Sequence, residues 1–147
     1  MEGEKPPTVT ELDTHADTCC VGINARILMD TGRKINVFPF LDELGSISEV
    51  PIVQAAIAID SLNGLSTVIL IFNQCLYFPK MEYNLLCPNQ LRMNGVHIYD
   101  TPRQFDKRPH ALSHTIFFAD ENFALPLEMN GVVSYFKSRR PSEDEVR

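Results

Sequence analysis

Residues 8–18, Thr-Val-Thr-Glu-Leu-Asp-Thr-His-Ala-Asp-Thr, hold the side chains of this chain best suited to chemistry. An alternating run arrives at Leu12-Asp13-Thr14, and His15-Ala16-Asp17-Thr18 follow at once. A strand that ends in a carboxylate, with a hydroxyl beside it and small or polar residues after it, holds an acid at the floor of a cleft. The chemistry open to such an acid is hydrolysis by a carboxylate pair. Two carboxyl groups a few ångströms apart share one proton, because two like charges do not both ionise at that distance. The ionised group takes a proton from a water that attacks a carbonyl. The protonated group polarises that carbonyl and later protonates the leaving amine. This chemistry needs no metal and no other cofactor. A short chain with one such motif does not supply both acids, whereas a symmetric homodimer supplies one Asp13 from each protomer.

The run 13–17 resembles the Asp-Thr/Ser-Gly-Ala-Asp signature of retroviral and retrotransposon proteases, with His15 standing where that family has Gly. A second block lies downstream. Leu76-Tyr77-Phe78-Pro79 followed by Asn84-Leu85-Leu86-Cys87-Pro88-Asn89-Gln90-Leu91 is similar to the segment that closes copia-type retrotransposon proteases. There a Val-Leu-Tyr-Val-Pro strand leads into Asn-Leu-Leu-Ser-Val-x-Gln-Leu and a short helix. Two motifs in the family's order are far more specific than either alone. The resemblance covers residues 8–95 by motif. It implies an aspartic endopeptidase with a retropepsin-like closed β-barrel, a flap hairpin and one short helix, acting as a homodimer on extended segments of its own polyprotein. It also implies roles within the site. Asp13 and Thr14 are the catalytic pair, with the Thr14 hydroxyl bonding across the dimer axis. Asp17 meets substrate backbone or a neighbouring Arg, and the strand through Leu85 and Leu86 supports the loop 13–18 from behind. The flap is expected within residues 35–52, with its tip near Leu44-Gly45-Ser46; the Asn63-Gly64 turn is the competing choice.

His15 reads in three ways: a residue tolerated in a turn where Gly is usual, a group that tunes the titration of the carboxylates, or the mark of a site that has lost catalysis. The last gives the alternative function, an inactive module of the same fold kept for dimerisation or peptide binding.

Other constellations carry less. Met29-Asp30-Thr31-Gly32 contains a literal Asp-Thr-Gly, but Arg33-Lys34 follow it where an active loop needs a small residue, so it reads as a solvated turn between two strands. His15, Cys19 and Cys20, with Cys75 or Cys87, match no usual metal spacing, and small buried thiols are the better reading. A cysteine nucleophile at Cys19 or Cys20 paired with His97, His110 or His114 has no local motif behind it.

The elements that must position Asp13 are mostly strands. Alternating, β-branched or aromatic runs occupy residues 8–13, 23–29, 35–40, 50–59, 66–72, 75–78, 96–99, 114–119 and 132–136. The Asn63-Gly64 pair predicts a hairpin. One helix is expected over 88–94, with Pro88 in its first turn and Gly95 beyond its end. The fold class is therefore all-β. With 147 residues, 44% of them hydrophobic and 22% charged, the chain suits one domain, expected over 8–138. The charged, Pro-containing stretches 1–7 and 139–147 read as linkers. A net charge of −6 offers no basic face to nucleic acid or anionic lipid. The absence of a long apolar run and the adjacent pair Cys19-Cys20 point to reduced thiols in the cytoplasm or in a virus-like particle, with no membrane partner.

Overall fold

The computed structural model describes residues 8–13, 18–37, 47–61 and 64–147. The described chain is mostly β-strand, with one short α-helix. Its strands are β1 (Thr8–Leu12), β2 (Cys20–Val21), β3 (Arg26–Val37), β4 (Ile47–Asp60), β5 (Thr67–Tyr77) and β6 (Asn84–Leu86), followed by the helix α1 (Pro88–Met93). Beyond it come β7 (His97–Tyr99), β8 (Thr115–Phe118), β9 (Phe123–Pro126), β10 (Glu128–Asn130) and β11 (Val133–Ser138).

Eight strands form one sheet in the order β10-β11-β1-β6-β2-β5-β4-β3, and β7-β8-β9 form a second sheet. The expected closed barrel is therefore corrected. Among the described residues the large sheet is open, ending at β10 and β3. The reason lies in strand length. With only two residues, β2 reaches β5 at Leu76 and Tyr77 alone, and β7, β8 and β9 pair among themselves rather than with the free side of β5 or β3. One bridge, Ala58 to Arg139, ties the residue after β11 back to β4.

Two further expectations change. Residues 26–29 and 35–37 of the runs 23–29 and 35–40 are not in separate strands, because Arg26–Val37 continues through Asp30-Thr31-Gly32, where the register against β4 shifts between Asp30 and Lys34, while residues 38–40 lie outside the described residues. A positive φ of 79° at Gly32 makes this irregularity possible within a single strand. Likewise the runs 66–72 and 75–78 merge into β5. The helix starts at Pro88, whose missing N–H costs nothing in a first turn, and Gly95 follows it at a φ of 83°.

One apolar core joins the sheets. Val21, Val53, Ala55, Ile57, Cys75, Leu86, Ile116 and Phe136 are buried in it, and Leu91 brings α1 against it. Residues 139–147, read above as linker, hold close to the sheet. Ala58 and Arg139 exchange two backbone hydrogen bonds of 2.9 Å, and the Arg26 guanidinium donates to the Pro141 carbonyl at 2.7 Å. No helix among the described residues is long and apolar enough to cross a membrane.

Candidate active site

Asp13 follows directly on β1, and three contacts set its backbone. β1 lies between β11, antiparallel, and β6, parallel, with Leu12 opposite Leu86. The Asp13 amide donates to the Leu86 carbonyl at 3.0 Å, extending the parallel ladder one residue beyond the strand. β6 in turn pairs with β2 through Leu85 and Cys20. The strand carrying Leu85 and Leu86 is thus inserted between β1 and β2, the two strands that flank residues 13–19. Leu86 is completely buried, so the platform under Asp13 is part of the core. Asp13 itself is half-buried. Thr14, His15, Ala16 and Asp17 lie outside the described residues.

The far end of this loop is held by Gln90 on α1. Its side-chain carbonyl accepts from the Cys19 amide at 2.7 Å and from the Thr18 hydroxyl at 3.2 Å, while its amide donates to the Gln74 carbonyl at 3.4 Å. The Cys87 amide donates to the Cys19 sulfur at 3.2 Å, a further tie between β6's exit and the loop.

Behind the loop, Asn84 works as a buried hub. It accepts from the Gly22 amide at 3.0 Å and donates to the Thr10 hydroxyl at 3.2 Å, which shares a 2.8 Å hydrogen bond with Ser138. One amide side chain on β6 therefore satisfies groups from β1 and from the exit of β2 inside the core, where an unmet polar group is costly. Gly22 is required there, since a Cβ would sit 2.0 Å from the Met81 carbonyl oxygen.

The four cysteines are free. Burial pushes the Cys19 and Cys75 thiols up to about 12. Burial also pushes Cys20 up to about 11, and the negative charge of Asp13 adds to that rise. The Asp13 carboxylate therefore acts on Cys20 through space, and burial favours the protonated form of Cys19, Cys20 and Cys75. Among the described residues no group of three His, Cys, Asp or Glu side chains could hold a metal ion.

The second Asp-Thr pair has a different setting. Asp30 is exposed on β3, an edge strand, and its carboxylate accepts from the Gly32 amide at 2.8 Å. The Thr31 hydroxyl donates to the Ile52 carbonyl at 2.7 Å and accepts from the Arg33 amide at 3.2 Å. These side chains stitch an irregular strand together.

Hairpin β3–β4 extends from the sheet through Lys34 opposite Pro51, Ile35 opposite Val50 and Val37 opposite Ile47. Its far end, including Leu44, Gly45 and Ser46, lies outside the described residues. So does Asn63 of the competing turn, whose Gly64 adopts a φ of 71° and donates to the Ser61 carbonyl at 2.9 Å.

Sequence reasoning missed β2 as a strand and the tasks of Asn84 and Gln90. Its one available signal was the placing of amide side chains, Asn84 and Gln90 among them, within the otherwise apolar block 84–91. Compared with family models, with curated proteins and with solved structures, the chain matches none, and the site stands on its own residues.

Proposed function

We propose that this chain is an aspartic endopeptidase domain similar to those of copia-type retroelement polyproteins, active as a homodimer with Asp13 from each protomer. The observation that carries the reading is the insertion of Asn84–Leu86 between β1 and β2, with the Asp13 amide bonded to Leu86. A carboxylate that must share a proton with its symmetry mate needs a backbone that does not shift, and a buried strand supplies it. In the reaction one Asp13 accepts a proton from water as the water oxygen attacks the peptide carbonyl. The partner's Asp13, carrying the shared proton, donates to the carbonyl oxygen. Collapse of the tetrahedral species breaks the C–N bond, and a proton passes to the departing amine. The Thr14 hydroxyl braces the two loops across the axis. Hairpin β3–β4 serves as the flap over an extended substrate bound as an added strand.

An inactive module of the same fold is the second reading, and the residue that favours it is His15 in place of Gly. The deciding experiment is peptide cleavage by the purified chain over a range of pH, with Asp13→Asn, Asp30→Asn and a statine-type transition-state mimic. Activity abolished by Asp13→Asn and by the mimic, and kept by Asp30→Asn, is the expected result. A folded dimer that cleaves nothing supports the module instead, and dependence on Asp30 overturns the site.

A further inference from the structure

One strand edge in this molecule opens onto an apolar space. β5 pairs with β4 along its length, while β2 covers its other side only at Leu76 and Tyr77. Among the described residues, no strand lies on that side of residues 67–74. A cavity of about 980 Å³ opens there, lined by every residue from Val68 to Gln74. Successive strand residues point to opposite faces, so a cavity against one face would meet every second residue. A cavity that meets seven in a row faces the strand's edge, with its alternating N–H and C=O groups.

The rest of the lining is largely apolar, with Gln90, Asn94 and Asn122 as its neutral polar members. Leu91 and Val96 belong to it together with Phe118 and Phe123, whose rings stack at 6.1 Å. Gln90 closes one end through its bond to the Gln74 carbonyl. The single charged side chain in the lining is Glu121, exposed and next to exposed Asp120; no Lys or Arg contributes.

We propose that this groove binds an extended apolar peptide carrying a Lys or Arg, which adds to β5 as a neighbouring strand and meets Glu121 with its charge. Three features select that occupant. Seven strand residues offer roughly 20 Å of edge, the length of a short peptide strand. The walls accept alternate apolar side chains from both faces of such a strand. The acidic rim at Glu121 and Asp120 favours a partner that brings a positive charge. The groove adjoins the proposed catalytic site through Cys19 and Gln90, but Asp13 does not line it.

The test uses the full chain carrying Asp13→Asn, so that binding is read whether or not the protein is a protease. The probes are two fluorescent, capped peptides of alternating valine and threonine, one ending in lysine and one in glutamate. The lysine peptide is expected to bind saturably, with amide shifts in the NMR spectrum concentrated at residues 68–74. Val96→Trp, which fills the groove, should weaken binding at least about tenfold. Glu121→Lys, an exposed change that leaves the core intact, should transfer the preference to the glutamate peptide. Should Val96→Trp fail to fold, that exchange of preference still decides. The proposal is overturned by a folded chain that binds neither peptide, by affinities indifferent to Glu121→Lys, or by a dimer that Val96→Trp dissolves, since a second copy would then occupy the groove.

Discussion

Asp13 and Asp30 are each followed by Thr, yet the backbone beneath them differs in kind. Asp13 stands at the end of an interior strand, its amide bonded to a fully buried neighbour in β6. Asp30 stands on an edge strand, and its carboxylate is occupied with the Gly32 amide across an irregularity in β3. A three-residue signature therefore does not define the setting of its acid. What distinguishes one aspartate from the other is the number of core elements that converge on it: β1, β6 and, through Gln90 and Asn84, α1 and the exit of β2.

The sharpest way to break this contrast is to remove packing beneath each acid. Leu86→Ala deletes a completely buried side chain and is expected to cost about 2–5 kcal/mol in denaturant unfolding. Met29→Ala, beside Asp30 at 54% exposure, should stay within about 0.5 kcal/mol. Equal losses at the two positions would refute the difference in support.

Asn84→Ala probes the polar hub. It leaves the Gly22 amide and the Thr10 hydroxyl without their partner, and a loss of about 1–3 kcal/mol is expected. Because these groups hold the strands on either side of the loop, cleavage should fall along with stability. A variant as stable as the parent would show that water replaces the amide.

Gly32→Ala tests the irregular strand instead. Nothing crowds a Cβ there, so the cost comes from the positive φ alone, about 1–2 kcal/mol by thermal melting. Peptide cleavage should be unaffected if Asp30 has only a structural task.

The smallest effect is expected in the C-terminal clasp, which contacts neither acid in the ion pairs it makes. Arg139 pairs with Asp60 at 2.8 Å and with Glu145 at 2.7 Å. Hydrogen bonding to Arg139 holds the Glu145 carboxyl down at about 2, from an ordinary value of 4.5, and holds Asp60 low as well. A carboxyl depressed by folding stabilises above its ordinary value and loses that contribution as pH falls toward its folded one. The melting temperature should therefore decline between about pH 4.5 and pH 2 partly through this clasp. Arg139→Met should lower it slightly near neutrality and flatten that acid limb. Arg139 and Asp60 are exposed and Glu145 is partly so, so salt should diminish the effect. An acid limb indifferent to Arg139→Met would remove the clasp from the pH response.

Much of the β-strand content was legible beforehand, because β-branched and aromatic runs separated by Gly, Pro and Asn-Gly leave few other options. The helix was legible from Pro88 and Gly95, which mark its two ends. The boundaries were less so. Arg33-Lys34 looked like a turn because local composition cannot distinguish a loop from an exposed edge strand with a bulge; only pairing with Pro51 and Val50 makes residues 34–35 strand. β2 escaped notice because two residues carry no periodicity, and its existence depends on Leu76, Tyr77 and Leu85 arriving beside it. The charged residues 139–147 likewise resembled a linker until Ala58 and Asp60 provided partners.

By itself the sequence determined the class of the fold, the helix and the place of an acid at the end of a strand, since each depends on neighbours within a few residues. The tertiary structure decided which strand lies beside that acid and, among the described residues, that the large sheet is open rather than closed and that β5 is uncovered along residues 67–74 on one side. Those outcomes depend on contacts between segments far apart along the chain, such as Thr10 with Ser138 and Gly22 with Asn84. Burial and backbone pairing choose among such contacts only once the whole chain has come together.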